Sequence, residues 1–198
     1  MDKKNENKQK MLLHACCAPC SSHVLELLSK EYDITLYFYN PNITDENEYI
    51  KRYKELVRFI NEAPFAVDVV AVDGGYDADS FFNMSKGLEE LPERGARCYK
   101  CYSMRMEAAS RYAADNGFDV FTTTLSISPH KNASWINEIG AICEEKNGVA
   151  YLYSDFKKKN GYARSIQLSK EYDLYRQDYC GCVFSKREKE NKNNNSLV

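Results

Sequence analysis

No stretch of this chain approaches the roughly 20 consecutive apolar residues that a membrane-spanning helix needs. Its opening, Met1-Asp2-Lys3-Lys4-Asn5-Glu6-Asn7-Lys8, is polar and charged and carries no secretory pattern. The expectation is a cytoplasmic protein with no membrane partner. An excess of one charge is missing too. Lys and Arg number 27 against 29 Asp and Glu, a net of -2, which excludes a generally basic nucleic-acid binder but allows a local basic patch. There is no glycine-rich phosphate loop and no motif for flavin or cobalamin. No internal repeat or break in composition divides the 198 residues, a length suited to one α/β domain.

Cysteine and tyrosine, in contrast, are plentiful, at 8 and 15. Eight cysteines in a reducing compartment point to metal or redox chemistry rather than a disulfide framework. Most of the tyrosines read as amphipathic surface or core rings, with some available to stack on bases. Three cysteines crowd into Leu12-Leu13-His14-Ala15-Cys16-Cys17-Ala18-Pro19-Cys20-Ser21-Ser22, where a short apolar run gives way to a turn and then a helical pattern. Adjacent cysteines reach disulfide geometry only with strain, so Cys16 and Cys17 are better read as thiolates converging on a metal or cluster.

Strands are expected at Met11–Ala15, Ile34–Tyr39, Phe65–Val72, Phe118–Leu125 and Val149–Tyr153. Helices are expected between and after them: from a Ser21 or Ser22 cap to Ser29, after an Asp45 cap, over Asp77–Met84, from the Cys98 region to Asn116, through Ile136–Cys143, and from Ala163 to Tyr172. Residues 1–10 read as a disordered leader and 186–198 as a disordered polar tail, around a single α/β metallo-domain at 11–185. The alternation implies a doubly wound, mostly parallel sheet whose ligands bind outside the strands' carboxyl ends. Cys16 and Cys17, Asp73, and Ser126 to His130 all fall at such ends. Asp73 and His130 remain ambiguous between site and loop roles.

Cys98-Tyr99-Lys100-Cys101 opens a helix and, with Cys16 and Cys17, supplies four thiolates, enough for a tetrahedral zinc or an iron–sulfur cluster. Adjacent cysteines fit the separate corners of a cluster more easily than a zinc knuckle, which favours the cluster. In Cys180-Gly181-Cys182 the glycine lets the backbone fold tightly enough for the sulfurs to meet, and a strained disulfide of that kind is labile and redox-active. Further metal ligands are the alternative there. Cys143 sits at a helical apolar position and reads as core. Cys17-Ala18-Pro19-Cys20 also has the C-x-P-C form of a thioredoxin-like site, a reading that leaves the other cysteine pairs unexplained. Lys157 to Lys159 with Arg164 is either a phosphate-contacting patch or a solvated charge run.

His14-x-Cys16-Cys17-Ala18-Pro19-Cys20, Arg97-Cys98-x-x-Cys101, Ser128-Pro129-His130-Lys131 and Tyr179-Cys180-Gly181-Cys182 together resemble the cobalamin-independent epoxyqueuosine reductases, over about residues 11 to 184. The resemblance implies a fold similar to the adenine-nucleotide α-hydrolase (HUP) type without its nucleotide loop. It implies a 4Fe–4S cluster on Cys16, Cys17, Cys98 and Cys101, and a redox pair at Cys180 and Cys182. An additional iron ion is also implied, with Cys20 or an end of the C-x-C as ligand. The implied reaction removes the epoxide oxygen from epoxyqueuosine at the tRNA wobble position, the last step of queuosine synthesis, with electrons from a separate donor. Asn132 stands where many members are expected to carry Asp, and no acid role is assigned there. Two other classes stay open: a thioredoxin-like oxidoreductase, and a non-catalytic zinc-stabilised RNA-binding module.

Overall fold

The computed structural model describes residues 8–195. Five strands, β1 (Gln9–His14), β2 (Tyr32–Phe38), β3 (Val70–Asp73), β4 (Val120–Thr123) and β5 (Ala150–Tyr151), form one sheet in the order β3-β2-β1-β4-β5. Every pairing is parallel, with Leu13 opposite Leu36 on one side of β1 and Thr122 on the other. Seven α-helices accompany it: α1 (Ala18–Leu28), α2 (Glu46–Glu62), α3 (Ala78–Ser85), α4 (Ala96–Asp115), α5 (Ala133–Asn147), α6 (Gly161–Glu171) and α7 (Val183–Asn195).

A central parallel strand is buried on both faces, which is why β1 reads as a continuous apolar run. Its side chains alternate between two cores. Met11 and Leu13 face Val24 and Leu25 of α1 and Leu56 and Phe59 of α2. Leu12 faces Met106 and Ala109 of α4 and Ile136 and Ile139 of α5. Helices therefore cover both faces, as a doubly wound sheet requires. Cys143 packs in the second core, beside Tyr151.

The local differences from expectation have physical causes. Cys17, not Ser21 or Ser22, is the residue before α1, because Pro19 suits the first helical turn and pulls the start forward. Ser21 and Ser22 then bond back to the carbonyls of Cys17 and Pro19 at 2.9 Å. Pro64 opens a short 3-10 turn to Ala66, so β3 is only Val70–Asp73. The Asp45 cap is as read, its carboxylate accepting from Glu48 N at 3.0 Å. Asn132 caps α5 by accepting from the N–H groups of Ser134 and Trp135.

At the ends, β1 begins at Gln9, inside the stretch read as leader, whose residues 1–7 lie outside the described part. The tail read as disordered, 186–198, is helical as far as Asn195, continuing α7 from Val183, and 196–198 lie outside the described residues. Glu188 anchors it by accepting from Glu93 N at 2.8 Å, and just before it the Phe184 ring lies 4.5 Å from the Arg97 guanidinium.

Candidate functional site

The strand order reverses between β1 and β4, and the crevice outside their carboxyl ends is where an open α/β sheet binds ligands. A cavity of about 450 Å³ opens there. Cys16, Cys20, Cys98 and Cys180 line it, and Cys17, Cys101 and Cys182 lie directly behind. Seven of the eight cysteines thus gather at one place.

Cys16, Cys17 and Cys20 form the tightest group, their sulfurs all within 4.8 Å of one another. Cys16 Sγ lies 3.9 Å from Cys17 Sγ. Metal–sulfur bonds of about 2.3 Å in a tetrahedron put sulfurs roughly 3.8 Å apart, so this spacing already suits a thiophilic ion. Cys16 is also held by Thr124, just past β4, whose Oγ1 accepts from Cys16 N at 3.2 Å and donates to its Sγ at 3.4 Å. Thiol donors from Cys17 and Cys20 pull the Cys16 pKa well below the ordinary range against the effect of burial, with Lys131 and Arg105 adding to the pull. The same coupling raises Cys17 to about 11 and holds Cys20 well above the ordinary thiol range.

Cys98 and Cys101 occupy the first turns of α4, one turn apart on the same face. Cys98 Sγ accepts from Arg94 N at 3.3 Å. Cys101 packs against Phe81, Cys182 and Phe184, and burial raises its pKa to about 12. Neither belongs to the tight group of Cys16, Cys17 and Cys20.

The Cys180-Gly181-Cys182 loop is clamped from the β2–α2 side. Arg52, 3% exposed, donates to the carbonyls of Cys180 at 3.2 Å and Tyr179 at 3.5 Å and is paired with Glu48 at 2.7 Å. Asn42 Nδ2 donates to Cys180 O, and Thr44 N to Gly181 O, both at 3.2 Å. From α7, Ser185 N donates to Cys182 Sγ at 3.3 Å. Burial, with the neighbouring Cys180, pushes the Cys182 thiol upward, so that sulfur keeps its proton.

Two cations complete the floor. Arg105, 1% exposed, donates to Asn40 Oδ1, and Lys131 faces the same cavity. Burial pulls the Lys131 pKa down, but the surrounding sulfurs, Cys16 first, outweigh it and hold the ammonium charged. Buried His14 is neutral, held near 3 by burial first and Arg105 second. Its Nε2–H donates to Tyr39 O at 3.1 Å, which leaves Nδ1 to accept from Thr123 Oγ1 at 2.8 Å.

Sequence reasoning assigned no role to Arg52, Arg105 or Lys131. Arg105 could have been found as a charge one turn beyond Cys101 on the apolar stripe of α4. Asp73 stands apart from the cavity, accepting from Tyr49 Oη at 2.5 Å. His130 lines it, and its Nδ1 lies 2.7 Å from Arg94 Nη2. Lys157 is paired with Asp155 at 2.8 Å, and Arg164 donates to Glu26 at 3.0 Å, so that charge run is largely internal ion pairing.

A family model, epoxyqueuosine reductase QueH, matches residues 11–188. The chain belongs to the epoxyqueuosine reductase QueH family. Among members named epoxyqueuosine reductase QueH, the protein of Staphylococcus epidermidis is 43% identical over 90% of this chain and 76% of its own length. That of Histophilus somni is 44% identical over 90% and 73%, and that of Thermotoga maritima 37% identical over 92% and 93%. These QueH likenesses favour the epoxyqueuosine reductase reading over the thioredoxin-like and zinc-module alternatives. Among the described residues no helix is long and apolar enough to cross a membrane.

Proposed function

We propose that this protein removes the epoxide oxygen from epoxyqueuosine in the tRNA anticodon loop, giving queuosine. The observation that carries the proposal is a switch-point cavity lined by Cys16, Cys20, Cys98 and Cys180, with buried Arg105 and half-buried Lys131 on its wall, in a QueH-family chain. Cys16, Cys17, Cys98 and Cys101 would hold a 4Fe–4S cluster, and Cys20 would serve an additional iron ion. The donor chemistry suits such a group: Cys16, Cys17 and Cys101 are buried and Cys98 half-buried beside one cavity, and Arg105 and Lys131 offset negative charge there. When bound, such a cluster supplies one-electron transfer and Lewis acidity.

The chain's own residues account for the stoichiometry. Converting an epoxide to an alkene takes two electrons and two protons and releases water. The Cys180 and Cys182 thiols together carry two electrons and two protons and become a disulfide, which an external donor then reduces. Clamping by Arg52, Asn42 and Thr44 keeps that pair at the cavity. Lys131 is placed to hydrogen-bond the oxygen as charge develops on it. Tyr162 and Tyr179 on the cavity wall suit stacking by splayed loop bases, and Arg94 and Arg176 suit phosphates.

The test is anaerobic purification with iron and sulfide analysis, followed by incubation with epoxyqueuosine-containing tRNA and a reductant, and mass analysis of the nucleosides. Loss of one oxygen from the modified nucleoside is expected. Stoichiometric zinc without sulfide, and no change in the nucleoside, would sink the reading.

A further inference from the structure

Buried polar atoms in folded proteins nearly always have partners, so a bare one asks for an explanation. Among the described residues five buried side-chain atoms make no hydrogen bond: Asn42 Oδ1, Arg97 Nη2, Arg105 Nε, Asp155 Oδ1 and Gln177 Oε1. Two of these sit beside opposite charges, Arg97 Nη2 at 3.6 Å from Glu188 and Asp155 Oδ1 at 2.8 Å from Lys157. The other three belong to residues that line the cysteine cavity.

Two of the three are carboxamide oxygens. Asn42, 1% exposed, turns its NH2 to the Cys180 carbonyl, which can only accept, so the amide orientation is determined and Oδ1 is the end without a partner. Gln177 lines the same cavity, and its Oε1 is likewise bare. Asn42 thus uses one end of its amide to hold the Cys180 loop and leaves the other without a partner. A carbonyl left bare in a buried site costs on the order of 1–3 kcal/mol unless something donates to it.

We propose that Asn42 and Gln177 are the acceptors of a recognition subsite for hydroxyl donors, holding the hydroxylated ring that bears the epoxide between the two cysteine groups. This rests on the epoxyqueuosine reading, whose reacting group is a cyclopentane diol attached through an amine. Such a ring offers hydroxyl donors to two carbonyls, and its oxygens suit the third bare group, Arg105 Nε–H. Guanine in the same wobble position has no such ring, so the subsite separates modified from unmodified tRNA. Both are positioning residues: neither amide transfers an electron or a proton.

The experiment compares binding of two tRNAs, identical except for epoxyqueuosine or guanosine at the wobble position, to anaerobically purified protein. The substitutions are Asn42→Leu, Gln177→Met and Gln177→Glu, each checked for wild-type metal content and melting temperature. Gln177→Met is expected to cut the preference for the modified tRNA about tenfold, raise KM and leave guanosine-tRNA binding unchanged, the loss expected for one hydrogen bond to a buried group. Gln177→Glu keeps the acceptor oxygen and is expected to restore most of the preference. Asn42→Leu should behave like Gln177→Met. If Asn42→Leu fails to fold, the two Gln177 variants decide the matter. Unchanged preference in folded variants, or no preference in the wild type, would overturn the subsite. Failure of the functional reading looks different: the wild type would leave the oxygen on epoxyqueuosine.

Discussion

Gly181 shows how a single residue sets the geometry of the Cys180–Cys182 loop. Its φ of +113° lies in the region that favours glycine, and an added Cβ would come 2.9 Å from Ile43 Cγ1 and 3.3 Å from Arg52 Nη1. Gly181→Ala is therefore expected to destabilise the fold by about 1–3 kcal/mol, through backbone strain and displacement of the Arg52 clamp. Thermal unfolding measures the first effect, and faster alkylation of Cys180 the second. The two cysteine groups are expected to separate cleanly. Cys182→Ser should emerge brown, folded and inactive, because on the proposed roles it would remove half of a redox pair and no cluster ligand. Cys16→Ser should emerge with iron lost. A colourless Cys182→Ser protein would move the C-x-C into the metal site.

Helices hold the cavity's frame through contacts away from it. On α5, Gly140 presses on the ring of Tyr151 in β5, where an added Cβ would fall 2.2 Å from a ring carbon. Gly140→Ala is expected to cost about 1–3 kcal/mol by overpacking, read as a lower denaturation midpoint with unchanged metal content. On the other face, Glu26 of α1 accepts from Arg164 of α6 at 3.0 Å. Those bonds hold the Glu26 carboxyl below its ordinary pKa. Its contribution is then present above the unfolded value, near 4.3, and lost as pH falls through the lower folded value. Glu26→Gln should lower stability by about 0.5 kcal/mol at pH 7, discounted for the exposure of the pair, and wild type and variant should converge in acid. A stability gap that persists below pH 3 would show that the pair's charge is not the cause.

At the scale of the whole molecule, the proposed metal group and the fold are expected to be linked. A group bound only to the native state stabilises it by mass action, by about 4 kcal/mol at a thousandfold excess over Kd. For a chain of this length that corresponds to a fall in melting temperature of roughly 10 °C on chelation. Differential scanning calorimetry of the anaerobic protein before and after metal removal checks it. An unchanged melting temperature would mean that the sheet and its two cores hold the cavity open by themselves.

Local patterns settled the framework of this protein. The apolar run Met11 to His14 had to be a strand buried on both faces, and the alternation of strands and helices had to give a parallel sheet with its site at the strand ends, because periodicity and crossover handedness are properties of neighbouring residues. The C-C, C-x-x-C and C-x-C pairs were equally plain, since each is a spacing of a few residues. Which sulfurs stand together was decided only in three dimensions. Cys20 joins Cys16 and Cys17 because Pro19 starts α1 early and turns Cys20 back over the strand end. Burial of Arg52 and Arg105, the packing of Phe184 that makes the polar tail a helix, and the contact of Asn42 with a carbonyl 138 residues away all depend on long-range closure. A one-dimensional pattern carries no register between segments so far apart. Only the packed sheet brings the β2–α2 turn and the Cys180 loop to the same wall.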